Sequence, residues 1–132
     1  MTTYEEYLGS VYALSFEDCC NIHGMLLEST GRDKDAADLY QKLLVTAYRY
    51  ANIRAEWTLL TREEKADTDA ARTAAHDSVI THINMLSRYL KQQGKDIRWR
   101  DMLGYTEDDP ALRRRIGDFA CYLAFIAGLC AR

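Results

Sequence analysis

Two adjacent cysteines and a histidine fall within five residues of one another in the stretch SFEDCCNIHGM, residues 15–25. On a helix, Cys19 and His23 lie one turn apart and Cys20 is three residues before the same histidine, so one face could offer thiolate and imidazole ligands to a divalent metal. A structural zinc site takes four such ligands. The other histidines, His76 and His82, are six residues apart and do not share a helical row, and no CxxC spacing occurs. The paired Glu-x-x-His motif of di-iron bundles is also missing, because Cys20, Thr73 and Val79 stand three residues before the histidines. Cys19 falls in register with Ile22 and Leu26, where a thiol acts as a small hydrophobe. The stretch is therefore assigned to core packing, and no metal or cofactor is assigned.

A second group could line an interior pocket. Arg54 lies between Tyr50 and Trp57 on an aromatic row, with Tyr48 nearby, and His76 sits on an apolar stripe beside Asp77. A guanidinium, two phenols and an imidazole could hold a small anionic molecule, or act on it with His76 as base. The competing expectation makes His76 a hydrogen-bonded core residue. It makes Arg54 a snorkelling side chain that meets Asp67 or Asp69 across a hairpin, with some cation–π contact.

The third group is basic. Arg98-Trp99-Arg100 and Arg113-Arg114-Arg115 carry the residue types that dominate binding hot spots. Arg98, Trp99, Arg100, Arg114 and Arg115 are the candidate partner-binding residues. Glu107, Asp108 and Asp109 are close enough in sequence to neutralise part of this charge. The segment MLGYTEDDPALRRRI resembles a helix-turn-helix, but Pro110 opens its supposed recognition helix and the rest of that helix is core. Nucleic acid is not the expected partner of a chain with formal net charge −3. No phosphate loop, nucleophile elbow or Ser/His/Asp arrangement appears, so the sequence leans away from an enzyme.

The elements that position these residues read as helices. One proline and seven glycines in 132 residues leave few breaks. Thr3 and Glu6 form a capping box for a first helix that runs to Ser29 through Tyr4, Leu8, Val11, Cys19, Ile22 and Leu26, with a kink allowed at Gly9 or Ser15. A second helix starts near Asp33 or Asp35 and has two apolar rows. One holds Leu44, Tyr48, Ala51, Ala55 and Leu59; the other holds Tyr40, Leu43, Ala47, Tyr50 and Trp57. The box Thr61–Glu64 opens a third helix after a turn short enough to make the two antiparallel neighbours. Its inner stripe is His76, Val79, Ile83, Leu86 and Leu90, and Gly94 ends it. A short connector helix is expected over about 96–104, and Asp109-Pro110 starts the last helix. The expected architecture is an all-α antiparallel four-helix bundle, with residues 1–132 as a single domain.

The last helix is apolar or small at every position from Phe119 to Cys130. Gly117, Cys121, Ala124, Gly128 and Ala131 form a small seam; Phe119, Leu123, Ile126 and Cys130 a second row; and Tyr122, Phe125 and Leu129 a third. Such a helix is expected to be buried all round, since leaving the third row in water forfeits about 1.5–3 kcal/mol per residue. It is either the central helix of a monomer or the place where two copies meet, through residues 116–131. Sixteen helical residues span only about 24 Å, short of the ~30 Å of a membrane core, so no membrane partner is expected. The N-terminus carries no basic-then-apolar signal pattern, which points to a cytoplasmic protein with reduced cysteines. The expected function is that of a non-enzymatic interaction or regulatory module, homodimeric, with another protein as partner. The alternative is a small-molecule- or metal-binding bundle, including an enzyme with an interior site.

Overall fold

The computed structural model describes residues 15–95 and 112–130, and every regular element among them is a helix. In chain order these are α1 (Phe16–Thr30), α2 (Lys34–Trp57), α3 (Arg62–Gln92) and α4 (Leu112–Cys130). The all-α bundle expected from the sequence is what forms. The Thr3–Glu6 box, the connector helix over 96–104 and the Asp109-Pro110 start lie outside the described residues.

One correction concerns the first helix. Ser15 does not sit inside a helix but caps one: its backbone is extended (φ −88°, ψ 158°) and its hydroxyl accepts from the Asp18 amide at 3.0 Å. The Asp18 carboxylate accepts in return from the Ser15 amide, at 3.4 Å. Serine followed three residues later by an acid is itself a start signal, and it outranks the longer apolar row that runs through it.

Asp33 caps α2 by accepting from the amides of Asp35 and Ala36. Its other oxygen accepts from the Tyr89 hydroxyl at 2.8 Å, so the start of α2 is tied to the end of α3. That bond is the main reason the Asp33 carboxyl titrates below its ordinary value, and it pushes the Tyr89 phenol up to about 12. The Thr61–Glu64 box opens α3, and Gly94 closes it at φ 75°, a conformation that strongly favours glycine. Beyond it, the Lys95 ammonium donates to the Ser29 carbonyl at 3.2 Å.

Trp57 lies against Arg72, Tyr50 against His76, and Asp33 against Tyr89. Rising numbers on α2 meet falling numbers on α3, so this pair runs antiparallel. Every residue of the stripe expected on α3, His76 through Leu90, is buried. On α2 only one of the two rows is: Tyr40, Leu43, Ala47 and Tyr50 enter the core, while Tyr48 and Leu59 remain 57% and 83% exposed. Trp57, at the end of the buried row, is half-buried.

α4 closes the core. Ile116, Phe119, Ala120, Leu123 and Ile126 are buried against the other helices. The expectation of burial all round fails on the third row at Phe125, which is 59% exposed, while Tyr122 is half-buried and the side chain of Leu129 lies outside the described residues. Phe16 of α1 reaches one side of this arc of α4, at Tyr122 and Phe125, and Phe125 and Gly128 stay exposed. No described helix is long and apolar enough to cross a membrane.

Candidate functional site

The cysteine-histidine stretch is core. Cys19 is fully buried, and its sulfur lies 3.9 Å from the Phe119 carbonyl oxygen. Burial, then the neighbouring Cys20 and Asp18, push its thiol up to about 12, so it stays protonated and non-nucleophilic. His23 is buried and its Nδ1 is hydrogen-bonded to the Tyr40 hydroxyl of α2. Cys20 packs at the edge of the core. Among the described residues, no three His, Cys, Asp or Glu side chains come together as a metal site.

Burial lowers the His23 pKa below its ordinary 6.5, because an imidazolium there loses hydration. The unfolded chain therefore binds the proton more readily than the folded one. Stability from this residue is fully present above pH 6.5 and is lost as pH falls through the folded-state value. Urea midpoints are expected to hold steady from about pH 8 to 6.5 and to drop at pH 5, ahead of the carboxylate losses at Asp33 and Glu64. His23→Gln, which keeps an acceptor for Tyr40, should flatten that drop. An unchanged drop would place its origin elsewhere.

Three of the four pocket candidates converge, and Tyr48 does not. Tyr50 is buried and stacks edge-on against His76 with ring centroids 5.3 Å apart. One turn on, Arg54 pairs with Asp118 of α4 at 2.8 Å, and its Nη1 lies 3.7 Å from the Cys121 sulfur. Burial opposes the Arg54 charge, yet Cys121, Asp118 and Tyr50 together hold its pKa above the ordinary value. The Cys121 thiol is pushed up by burial and only partly drawn back by Arg54. Tyr48 points away on the outer face of α2.

The expected partners of Arg54 are corrected. It meets Asp118 rather than Asp67 or Asp69, and the guanidinium that lies over Trp57, 4.7 Å from the ring centroid, is that of Arg72. Sequence reasoning passed over Asp118, although it is the one charged residue between Ile116 and Ala131. A lone carboxylate in an apolar helix needs a cation wherever it is buried, and that signal was available. Gly117 beside it makes the meeting possible. A Cβ there would stand 2.9 Å from the Tyr50 hydroxyl and 3.2 Å from Arg54 Nη1. The cluster joins α2, α3 and α4 through the Arg54–Asp118 ion pair and the edge-on contact of the Tyr50 and His76 rings.

The basic candidates divide. Arg98, Trp99 and Arg100 lie outside the described residues, as does the side chain of Arg114. Arg115 is buried, at 2% exposure, and so is not presented on the surface.

What α1 and α4 do present is aromatic. Phe16 makes edge-to-face contacts with Tyr122 and Phe125, at centroid distances of 5.7 and 5.9 Å. The outer faces stay open, with Phe16 43% and Phe125 59% exposed. Compared with known proteins, the chain matches no family model, no curated protein and no solved structure.

Proposed function

We propose that the chain is a non-enzymatic helical-bundle protein that acts by binding another protein, whose apolar side chains pack on the patch made by Phe16, Tyr122 and Phe125. The exposure of Phe125 carries this reading. A phenylalanine that could have turned inward, on a helix with so little polar surface, stands mostly in water. Its two aromatic neighbours are fixed beside it in edge-to-face geometry, which preorganises the patch at little entropic cost. Self-association through 116–131 would have to use this same arc, so a second copy competes with a different protein for it.

The interior alternative has less support. Asp118 engages the Arg54 guanidinium, and Tyr50 and His76 pack ring against ring inside the bundle.

Phe125→Glu tests the proposal. The variant should keep the wild-type melting curve, because the side chain is mostly solvated. It should weaken capture of the wild-type partner by roughly 30-fold, the loss expected of an aromatic hot spot worth about 2 kcal/mol. Lys42→Ala, on another face, should capture normally. Equal capture by Phe125→Glu would remove the patch from the function, and stoichiometric metal in the purified protein would favour the small-molecule- or metal-binding alternative.

A further inference from the structure

The aromatic patch of α1 and α4 lies where the chain enters the bundle. Phe16 meets Tyr122 and Phe125, and Cys19 lies against Phe119, so rising numbers on α1 meet falling numbers on α4. The start of α1 therefore stands beside the C-terminal half of α4, where Phe125 and Gly128 are exposed. Ser15, the cap of α1, has an extended backbone, so the chain that precedes it leaves the helix axis next to Phe16. Leu14 and Cys19 have the spacing of a hydrophobic staple, the pair that sets the angle at which a chain enters a helix. Cys19 is buried on the side of α1 that meets α4, and a staple to it brings the entering chain over α4.

We infer that residues 4–11 are the patch's own occupant: they pack on Phe16, Tyr122 and Phe125 and must be displaced before another protein binds there. The inference rests on the reading of that patch as the binding surface, and adds its regulation. Tyr4, Tyr7, Leu8 and Val11 recur at i, i+3, i+4 and i+7, the anchor spacing of a helix laid into an apolar groove. Glu5, Glu6, Gly9 and Ser10 fall on the other side of such a helix. The stretch of α4 from Phe119 to Gly128 carries no charge, so an uncharged stripe is what matches it. The tether makes the match local. Val11 stands four residues before Ser15, within about 14 Å of extended chain. A segment held by so short a link meets the patch at an effective concentration in roughly the millimolar range, which a separate protein at micromolar concentration has to overcome.

The cover is weak. A docked form favoured about fourfold over the open one is worth about 0.8 kcal/mol, within the small loss expected of truncating Phe125. It leaves about one molecule in five open and lowers the apparent affinity for an apolar ligand of the patch about fivefold.

Leu8→Gln/Val11→Gln in the full chain removes the apolar match and leaves the charge unchanged. In the wild-type chain, nuclear Overhauser contacts are expected between the methyl groups of Leu8 and Val11 and the rings of Phe16 and Phe125. Their intensity per molecule should be the same from about 50 µM to 500 µM, as an intramolecular contact requires. Anilinonaphthalene sulfonate, a dye that fluoresces on exposed apolar surface, is the ligand probe. Its affinity for the double variant should be about three- to fivefold higher than for wild type, and adding Phe125→Glu to the double variant should abolish that gain. Circular dichroism melts should coincide, because the substitutions lie outside the core of the bundle. Absent contacts, or dye affinity unchanged in the double variant, overturn the inference and leave partner capture by Phe125 to its own test. Contacts that grow with concentration assign the patch to a second copy and overturn it as well.

Discussion

Phe119→Ala is expected to destabilise the protein by about 3–5 kcal/mol, and Phe125→Ala by about 1 kcal/mol or less. The two residues are the same type on the same helix, six positions apart. Phe119 is fully buried among the side chains of the core, and its backbone carbonyl accepts the weak contact from the Cys19 thiol. Truncating it removes a large apolar surface from the interior and leaves a cavity that rigid neighbours close only in part. Phe125 is 59% exposed, so most of its ring is already in water and its loss forfeits little beyond the edge contact with Phe16. Urea unfolding of the two variants side by side measures the difference. Similar losses would mean that Phe125 is covered in solution, and the patch on α1 and α4 would then not exist as a free surface.

The second large effect concerns a glycine. Gly117→Ala should lower stability by about 1–2 kcal/mol, although alanine is favoured over glycine in a helix by about 1 kcal/mol. The new methyl would stand 2.9 Å from the Tyr50 hydroxyl, and Tyr50 has little room to retreat, being buried against His76. Arg54, which is part-exposed, can yield; Tyr50 cannot. Gly24→Ala on α1 is the control. Nothing lies within 4 Å of its Cβ, the residue is exposed, and the change should stabilise by about 0.5–1 kcal/mol. Removing the hydroxyl should rescue the clash, so Gly117→Ala/Tyr50→Phe is expected to be more stable than Gly117→Ala alone. If Gly117→Ala instead stabilises as Gly24→Ala does, α2 and α4 do not approach closely at this point.

Much of the fold could be read from local signals. Capping residues at Asp33 and Thr61 and the glycine at 94 act within one turn of themselves, and each marks the helix boundary its chemistry implies. The stripe His76–Leu90 is a strict helical row, and a helix with one apolar row has only one way to bury it. Ser15 is the exception. The apolar row through residues 4–26 predicts one helix with a kink allowed at Gly9 or Ser15, whereas Ser15 and Asp18 set a helix start there, because they satisfy amide groups that the start leaves unpaired.

The candidate site was legible only in part. Tyr50, Arg54 and His76 were singled out by type, and packing brings them together, but Tyr48 turns outward and Asp118 supplies the missing counter-charge. Which of two rows on α2 faces the core cannot be decided from α2, since both are apolar; the neighbours decide, by offering Gly117 and His76 to the row that carries Tyr50. The same holds for α4, where composition predicts burial on every side and, among the described residues, Phe125 and Gly128 stay exposed. Sequence alone determined the helical class, the capped starts of α2 and α3 and the rows able to be buried, because these depend on contacts within a turn or two. Tertiary structure decided which row is used and which is left to water, because that depends on residues distant in the chain competing for the same interior space.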